Sequence, residues 1–520
     1  MVVLREPVHE RRPREVIDNP SQDLLRRLTL QMPNARRTAC GSVDVFTRVD
    51  ARSSGSTYIV TDDPEAHRGH QTMGRTEYEE IARLQDEYIA GQAMIVIDGY
   101  ISNAEEVRTS ARLVIESANA NVAGMQKFLY FERAGGEPQL TVIDTPNLPA
   151  PGYPNGRCIA VDLENGITRV LNSDYFGESK KGGLRMWNKI VYDKGGLPMH
   201  AGCKVIPTPY GPSGKDGQKT IVVIGLSGTG KTTTTFRRQG DSKAVQDDFI
   251  ALMPGGRVYG TENGCFAKTF ALSPEHEPEI YQAVTSPIAY LENVYLNEDG
   301  TPDFANETFT QNGRAVFPLE ALGRYEDANN IGPVSAIIIL NRARSVVPAL
   351  ARLSEQQAAA YFMLGETQGT SAGGKDEAGK SLRVPGTNPF FPLPHDLQGN
   401  RFLELLRTHP IDVYLMNTGW IVDDTGPDGK KIMVEHSSAC VQAIAEGGLE
   451  WVEDPDFGYE LPVSVPGIAP EDTDLLHPRE RFVALGRIDE YNGWVEKLKA
   501  ERRAFLDSFP ELHGYIRAGI

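Results

Sequence analysis

The chain has 520 residues, too many for one ordinary core, so two or three domains are expected. Hydrophobic residues make up 40% and charged residues 24%, the balance of a globular chain, and a formal net charge of −17 argues against a general binder of nucleic acid. Five cysteines (Cys40, Cys158, Cys203, Cys265, Cys440) lie far apart with no paired spacing. That is poor material for a disulfide framework or a structural zinc site, and it favours a reducing compartment. No apolar run approaches the ~18–20 residues of a membrane span. The start Met1-Val2-Val3-Leu4-Arg5-Glu6 lacks a secretory apolar core. A cytoplasmic protein without membrane contact is expected.

Residues 1–40 are rich in Arg, Pro and Glu and read as a loosely packed arm with one helix near Leu24–Leu30. Val43 to Thr47 alternates as a strand and Ser56 to Thr61 as a second, with the polar turn Ala51-Arg52-Ser53-Ser54-Gly55 between them. Thr76 to Ala90 reads as a helix, and Ala93 to Tyr100 as a buried strand. Ala104 to Tyr130 carries apolar residues at helical spacing (Val107, Ala111, Val114, Ile115, Ala118, Val122) and reads as one long helix. Residues 134–157, full of Gly and Pro, read as a surface connection, and two short strands fit Ile159 to Val170. The segment Asp174 to Gly183 sets Tyr175, Glu178, Lys180 and Lys181 among glycines, an odd composition for a plain loop.

The next stretch has the sharpest chemistry. Ile221-Val222-Val223-Ile224 is a buried strand, followed by Gly225-Leu226-Ser227-Gly228-Thr229-Gly230-Lys231-Thr232-Thr233. Gly, four residues, then Gly-Lys-Thr is the spacing of a loop whose backbone N–H groups surround phosphate oxygens. Lys231 would neutralise the terminal phosphates, and the Thr232 hydroxyl would reach a divalent metal. Asp247 and Asp248 close a short strand one helix later, where a hard cation such as Mg²⁺ is held. Glu262 to Thr269 reads as a Gly-containing turn carrying Lys268, and Gln311-Asn312-Gly313-Arg314 as a hairpin turn. Val334 to Leu340 and Asp412 to Met416 are buried strands. Gly365 to Pro389 is long enough to be a lid, and Gly493 to Phe509 is an amphipathic helix.

Taken in order, these motifs resemble the ATP-dependent phosphoenolpyruvate carboxykinase family. The resemblance rests on Gly225 to Thr233, the Asp247-Asp248 pair and Glu262-Asn263-Gly264-Cys265-Phe266-Ala267-Lys268-Thr269. It extends to Tyr175-Phe176-Gly177-Glu178-Ser179-Lys180-Lys181, Met199-His200, Ala51-Arg52-Ser53 and Met416-Asn417-Thr418-Gly419-Trp420. It covers roughly Ser42 to the C-terminus.

The resemblance implies an α/β fold of two domains around a cleft: a substrate-binding domain over 41–200, after the arm 1–40, and a nucleotide-binding domain over 201–520 with a lid at 365–389. It implies Lys181, His200 and Asp248 as ligands of Mn²⁺, and Thr232 and Asp247 as partners of Mg²⁺. Arg52, Tyr175, Lys181 and Arg314 would hold oxaloacetate or phosphoenolpyruvate. Residues Gly225 to Thr233 and Lys268 would hold ATP. Lys181, Lys231, Asp248 and Arg314 would carry the chemistry, as a monomer or homo-oligomer acting on small molecules.

The pattern also departs from the family. Its Arg-Ser-Pro-Lys-Asp-Lys is Arg52-Ser53-Ser54-Gly55-Ser56-Thr57 here, without either lysine, and Ser438 stands where the family keeps an Arg near the nucleotide. Three readings follow: an oxaloacetate carboxykinase, a kinase of another small molecule or protein hydroxyl on the same fold, and a nucleotide-binding regulator without turnover.

Overall fold

The structure, a computed structural model, describes residues 13–133, 135–208, 217–226, 228–368, 381–423 and 426–520. Its first large sheet has eight strands in the order Glu15–Asp18, Ala93–Ile101, Thr109–Glu116, Leu140–Thr145, Ile167–Leu171, Cys158–Asp162, Thr57–Val60 and Thr72–Met73. Here the single long helix expected over Ala104 to Tyr130 is corrected. Thr109–Glu116 is a strand running antiparallel to Ala93–Ile101, and the helix is confined to Ala120–Leu129. The strand is buried on both faces, with only Arg112 partly exposed, so Leu113, Val114 and Ile115 are apolar at adjacent positions instead of alternating with polar residues. Any helical spacing can be picked out of such a run.

The expected surface connection over 134–157 likewise contains a central strand, Leu140–Thr145, paired in parallel on both sides. The described part of the expected arm is not loose either. Glu15–Asp18 extends the sheet in parallel beside Ala93 to Val96, and Leu25 of helix Gln22–Leu30 has no exposed surface. Residues 1–12 of that arm lie outside the described residues.

Helix Phe176–Asp193 packs across this sheet where the sequence suggests only an unusual loop. It is buried almost all round over its first thirteen residues, Phe176 to Asn188, because its polar face, with Glu178, Lys181 and Arg185, is turned into the interior and not to solvent. Gly182 has a packing reason: a Cβ there would sit 3.0 Å from the Thr168 methyl of the sheet beneath. The Trp187 indole N–H donates to Val107 O at 3.1 Å and fixes the far end.

A second eight-stranded sheet runs Lys243–Gln246, Ala201–Pro207, Gln218–Ile224, Val334–Asn341, Asp412–Asn417, Ala351–Leu353, Glu460–Pro462 and Trp451–Glu453. Gln218–Ile224, Val334–Asn341 and Asp412–Asn417 are parallel neighbours. Both faces are covered, and alternate residues split between them. Ile337, Ile339 and Leu415 pack with helix Glu355–Leu364, whereas Ile338, Leu340 and Met416 pack with Val441 and Ile444 of helix Val434–Glu446.

A five-stranded sheet (Gly264–Lys268, Arg314–Pro318, Tyr290–Glu292, Val43–Val45, Ala35–Arg37) joins early and late parts of the chain. Gly264–Lys268 is therefore a strand, not a turn. Asn312-Gly313 does not close a hairpin, because Arg314–Pro318 pairs with the distant strands Gly264–Lys268 and Tyr290–Glu292. Asn312 is instead buried and donates to Asp50 O at 2.6 Å. The last long helix, Ile488–Asp507, is anchored by the buried Arg502, which forms two hydrogen bonds to Glu366 at 3.0 and 2.8 Å. Among the described residues no helix is long and apolar enough to cross a membrane.

Candidate active site

Strand Gln218–Ile224 ends at the glycine-rich loop expected to hold phosphate, and helix Lys231–Phe236 begins immediately after it. Gly228 and Gly230 both take φ of +88°, a left-handed backbone that side chains strain to adopt, which explains glycine at these positions. The loop is tied down from outside. The Thr229 hydroxyl donates to Leu226 O at 2.8 Å, Thr418 donates to Thr229 O at 2.8 Å, and the Arg342 guanidinium donates to Gly228 O. Ser227 lies outside the described residues, as do residues 369–380 of the expected lid.

Four residues singled out in the sequence meet at one carboxylate. Asp248 Oδ1 lies 2.9 Å from His200 Nε2 and 3.1 Å from Lys231 Nζ, while Oδ2 accepts from Lys180 Nζ at 2.7 Å and from Lys181 Nζ. Burial opposes ionisation of Asp248, but the ammonium groups of Lys180, Lys181 and Lys231 outweigh it and hold the carboxylate well below its usual range. Lys180 is shared with the buried Glu262 at 2.9 Å. These two carboxylates overcome its burial and raise its pKa. Lys181 differs. Burial, with the charge of Lys180 adding, brings its amine down to about 7, although Asp248 pulls the other way.

His200 is pulled down to about 3, by burial first and then by Lys231, so its imidazole is neutral. Thr387 O, 3.2 Å from Nδ1, and Asp248 Oδ1, 2.9 Å from Nε2, both accept, so the single proton of the neutral ring serves one of them; with the proton on Nδ1, Nε2 is left with a lone pair for a metal held against Asp248. A carboxylate oxygen, an imidazole lone pair and an amine titrating near neutrality thus converge. That donor set fits a divalent transition metal. Beside it, the Thr232 hydroxyl donates to Asp247 Oδ1 at 3.0 Å, which brings together the two oxygen donors expected for a hard cation. Burial raises Asp247 to about 6.

Two phenyl rings organise the cations around this cluster. The Phe390 ring has Lys181 Nζ at 4.6 Å from its centroid, the Arg52 guanidinium carbon at 5.7 Å and the His200 ring at 5.9 Å. The Phe266 ring has Lys180 Nζ at 4.9 Å, the Arg314 guanidinium at 4.9 Å and the Tyr175 ring at 6.4 Å. Cation–π contacts of this kind contribute about 0.5–2 kcal/mol each and place charge at a wall without neutralising it.

Arg314 faces Lys268 in the antiparallel register, and its Nη2 donates to Asn312 Oδ1 at 2.8 Å. Its Nε is buried without an acceptor among the described residues. Lys268 is lowered to about 8, by burial first and then by Arg314 and Arg342. The buried Tyr175 hydroxyl accepts from Asn312 Nδ2 at 3.3 Å, and burial pushes its pKa up, so it stays a neutral phenol. The expected residues are therefore brought together in two groups: Lys181, His200, Asp248, Lys231, Thr232 and Asp247 at the loop, and Tyr175 and Arg314 around Phe266 with Lys268 opposite Arg314 in the strand register, while Arg52 lies against Phe390.

Sequence reading missed the Lys180–Glu262 pair as a structural member of the cluster, Arg342 on the loop, and Arg185 on the same helix face as Lys181. Only the i, i+4 spacing of Lys181 and Arg185 could have pointed to the last, and only once the segment was known to be a helix.

The fold is mixed α/β, and a glycine-rich strand–loop–helix turn lies beside a cluster of lysines around one carboxylate. A family model described as phosphoenolpyruvate carboxykinase matches residues 14–471. A protein of Azorhizobium caulinodans named phosphoenolpyruvate carboxykinase (ATP) is 30% identical over 506 residues, covering 94% of this chain and 90% of its own length. Proteins with the same name from Brucella anthropi (32% over 477 residues; 87% of this chain, 85% of its own) and Rhizobium leguminosarum bv. trifolii (33% over 394 residues; 74% and 69%) are also similar. The chain belongs to the ATP-dependent phosphoenolpyruvate carboxykinase family.

Proposed function

We propose that this chain is an enzyme that converts oxaloacetate and ATP to phosphoenolpyruvate, ADP and CO₂. Family membership supports this reading over the two other sequence readings. The observation that carries it within the site is the junction of Asp248, His200 and Lys181 with Lys231 of the phosphate loop, which sets a metal-type donor cluster 3.1 Å from a phosphate-binding ammonium.

In this reading residues 41–200 bind the carboxylic acid and residues 201–520 the nucleotide. Lys181, His200 and Asp248 hold Mn²⁺, and Thr232 and Asp247 hold the Mg²⁺ that accompanies ATP. When bound, Mn²⁺ supplies Lewis acidity toward the oxygen that becomes the enolate. The chain's own groups do the rest. Arg52 and Tyr175 orient oxaloacetate so that its C–C bond to the departing carboxylate breaks and the electron pair moves toward the C2 oxygen. That oxygen attacks the γ-phosphorus, and the bond to the ADP oxygen breaks.

Lys231, Lys268 and Arg314 offset the charge on the moving phosphoryl group. The buried Arg314 Nε, which has no acceptor among the described residues, is suited to that task. Tyr175 as a neutral phenol donates without adding charge. The aromatic walls of Phe390 and Phe266 keep water from protonating the enolate, a side reaction that yields pyruvate.

The test is direct. Purified protein with ATP, Mn²⁺, Mg²⁺ and oxaloacetate should form phosphoenolpyruvate and ADP in equal amounts. Tight ATP binding with neither product would overturn the assignment.

A further inference from the structure

A cavity of about 300 Å³ lies on the side of Phe390 that carries Arg52. Its lining includes Arg52, Arg185, Arg383, His70, His395 and Phe390. Arg185 comes one turn after Lys181 on helix Phe176–Asp193, so it projects from the same face. Its guanidinium carbon sits 5.5 Å from the centroid of the Phe390 ring that Lys181 and Arg52 share.

Arg185 is 6% exposed. Its Nη2 donates to Glu178 Oε2 at 3.2 Å, and the other oxygen of Glu178 is taken by the backbone N–H of Ser53. Its Nη1 is buried with no acceptor among the described residues. A buried guanidinium N–H without a partner is costly, and such groups are rare unless something else binds them.

The cavity is also short of negative charge. Arg383 is matched outside it by Glu366 at 3.1 Å and Glu501 at 3.4 Å. His70 and His395 are both held neutral by burial. Glu178 is the carboxylate that faces Arg185, and both of its oxygens are engaged.

We propose that this cavity is a second anion subsite, in which the Arg185 guanidinium donates to an oxygen of a carboxylate or phosphate group held next to Arg52. It is separate from the phosphate loop, and it does not depend on which molecule accepts the phosphoryl group. The same chemistry could come from an extra carboxylate on the acceptor itself or from a free small anion beside it.

The experiment is calorimetric titration of the full chain with ADP and Mg²⁺ present, so that the phosphate loop is filled. Inorganic phosphate and tricarballylate are the probes, each with and without saturating oxalate. Either probe should bind the wild-type protein and lose about tenfold or more in affinity in Arg185→Gln, the size expected for one charge-assisted hydrogen bond. Arg185→Lys should recover part of the loss. Phosphate binding alongside oxalate identifies a free anion, whereas tricarballylate competing with oxalate identifies a third carboxylate of the acceptor; both uphold the subsite.

Ser54, exposed at the rim, supplies a variant that leaves the charges alone: Ser54→Phe should weaken the same probes by crowding the mouth. Unchanged affinities in a folded Arg185→Gln protein would overturn the proposal. So would unchanged affinities in Ser54→Phe, should Arg185→Gln not fold.

Discussion

Lys231→Met separates the two halves of the proposed reaction. Lys231 Nζ is 3.1 Å from Asp248 Oδ1 and 3.3 Å from the Asp248 carbonyl, so the lysine of the phosphate loop also belongs to the metal-type cluster. At an effective dielectric near 20, a pair at that separation carries about 5 kcal/mol of gross attraction. Most of this is not lost on substitution. Asp248 retains Lys180 at 2.7 Å and the contact with Lys181, and it stays ionised. One charge-assisted hydrogen bond, about 1.5–3 kcal/mol, disappears largely from ground and transition states alike. Mn²⁺-dependent decarboxylation of oxaloacetate to pyruvate should therefore fall by less than about tenfold. Phosphoryl transfer loses a cation aimed at developing charge and should fall by about 10²–10³ or more. The assay follows phosphoenolpyruvate with ADP, and pyruvate without ATP, on the same preparation. Equal loss of both activities would refute this partition and make Lys231 a structural element of the metal site.

Lys204 is buried at the end of helix Lys231–Phe236, where its ammonium donates to Thr234 O at 3.3 Å, Arg237 O at 2.6 Å and Gln239 Oε1 at 2.5 Å. Lys204→Met leaves these acceptors unmet and should cost about 2–3 kcal/mol of stability. It should also raise the KM for ATP several-fold; a native unfolding midpoint and unchanged KM would contradict this. Glu292 is buried, with one oxygen accepting from Phe176 N at 2.9 Å and the other without a donor, and burial raises its pKa from 4.5 to about 8. Between pH 4.5 and 8 the native state holds a proton that the unfolded state has released, so this group's share of stability falls as pH rises through that window. Glu292→Gln should match wild type near pH 5 and exceed it near pH 9, by up to about 4 kcal/mol. Parallel midpoint curves for the two proteins across that range would contradict the assignment.

What the sequence made legible was chemistry tied to local backbone geometry. The phosphate loop could be read because Gly228 and Gly230 need a left-handed backbone, and because Lys231 and Thr232 must follow at fixed spacing. Burial on both faces hid other elements. Thr109–Glu116 is covered above and below, so its apolar run carries no period of two. Helix Phe176–Asp193 is buried nearly all round its first thirteen residues and contains Gly182 and Gly183, which local propensity counts against a helix. Their reason for being there lies in the sheet beneath, tens of residues away in sequence. The unmet N–H of Arg185 was invisible for the same reason. The sequence shows an arginine four residues after Lys181, but only the packed helix shows that it is buried against Phe390 with one nitrogen lacking an acceptor. The long-range sheet that pairs Val43–Val45 with Tyr290–Glu292 follows from no local signal at all.

Lys181, His200 and Asp248 are proposed to form one metal site beside the phosphate loop, and Mn²⁺ binding followed by electron paramagnetic resonance is the test of that site. Free Mn²⁺ should lose its six-line signal on titration into the wild-type protein. Binding should tighten as pH rises through about 7, because the metal competes with the proton on the Lys181 amine. His200→Ala and Asp248→Asn should each weaken binding by at least about tenfold. Wild-type affinity retained in both variants would contradict the account.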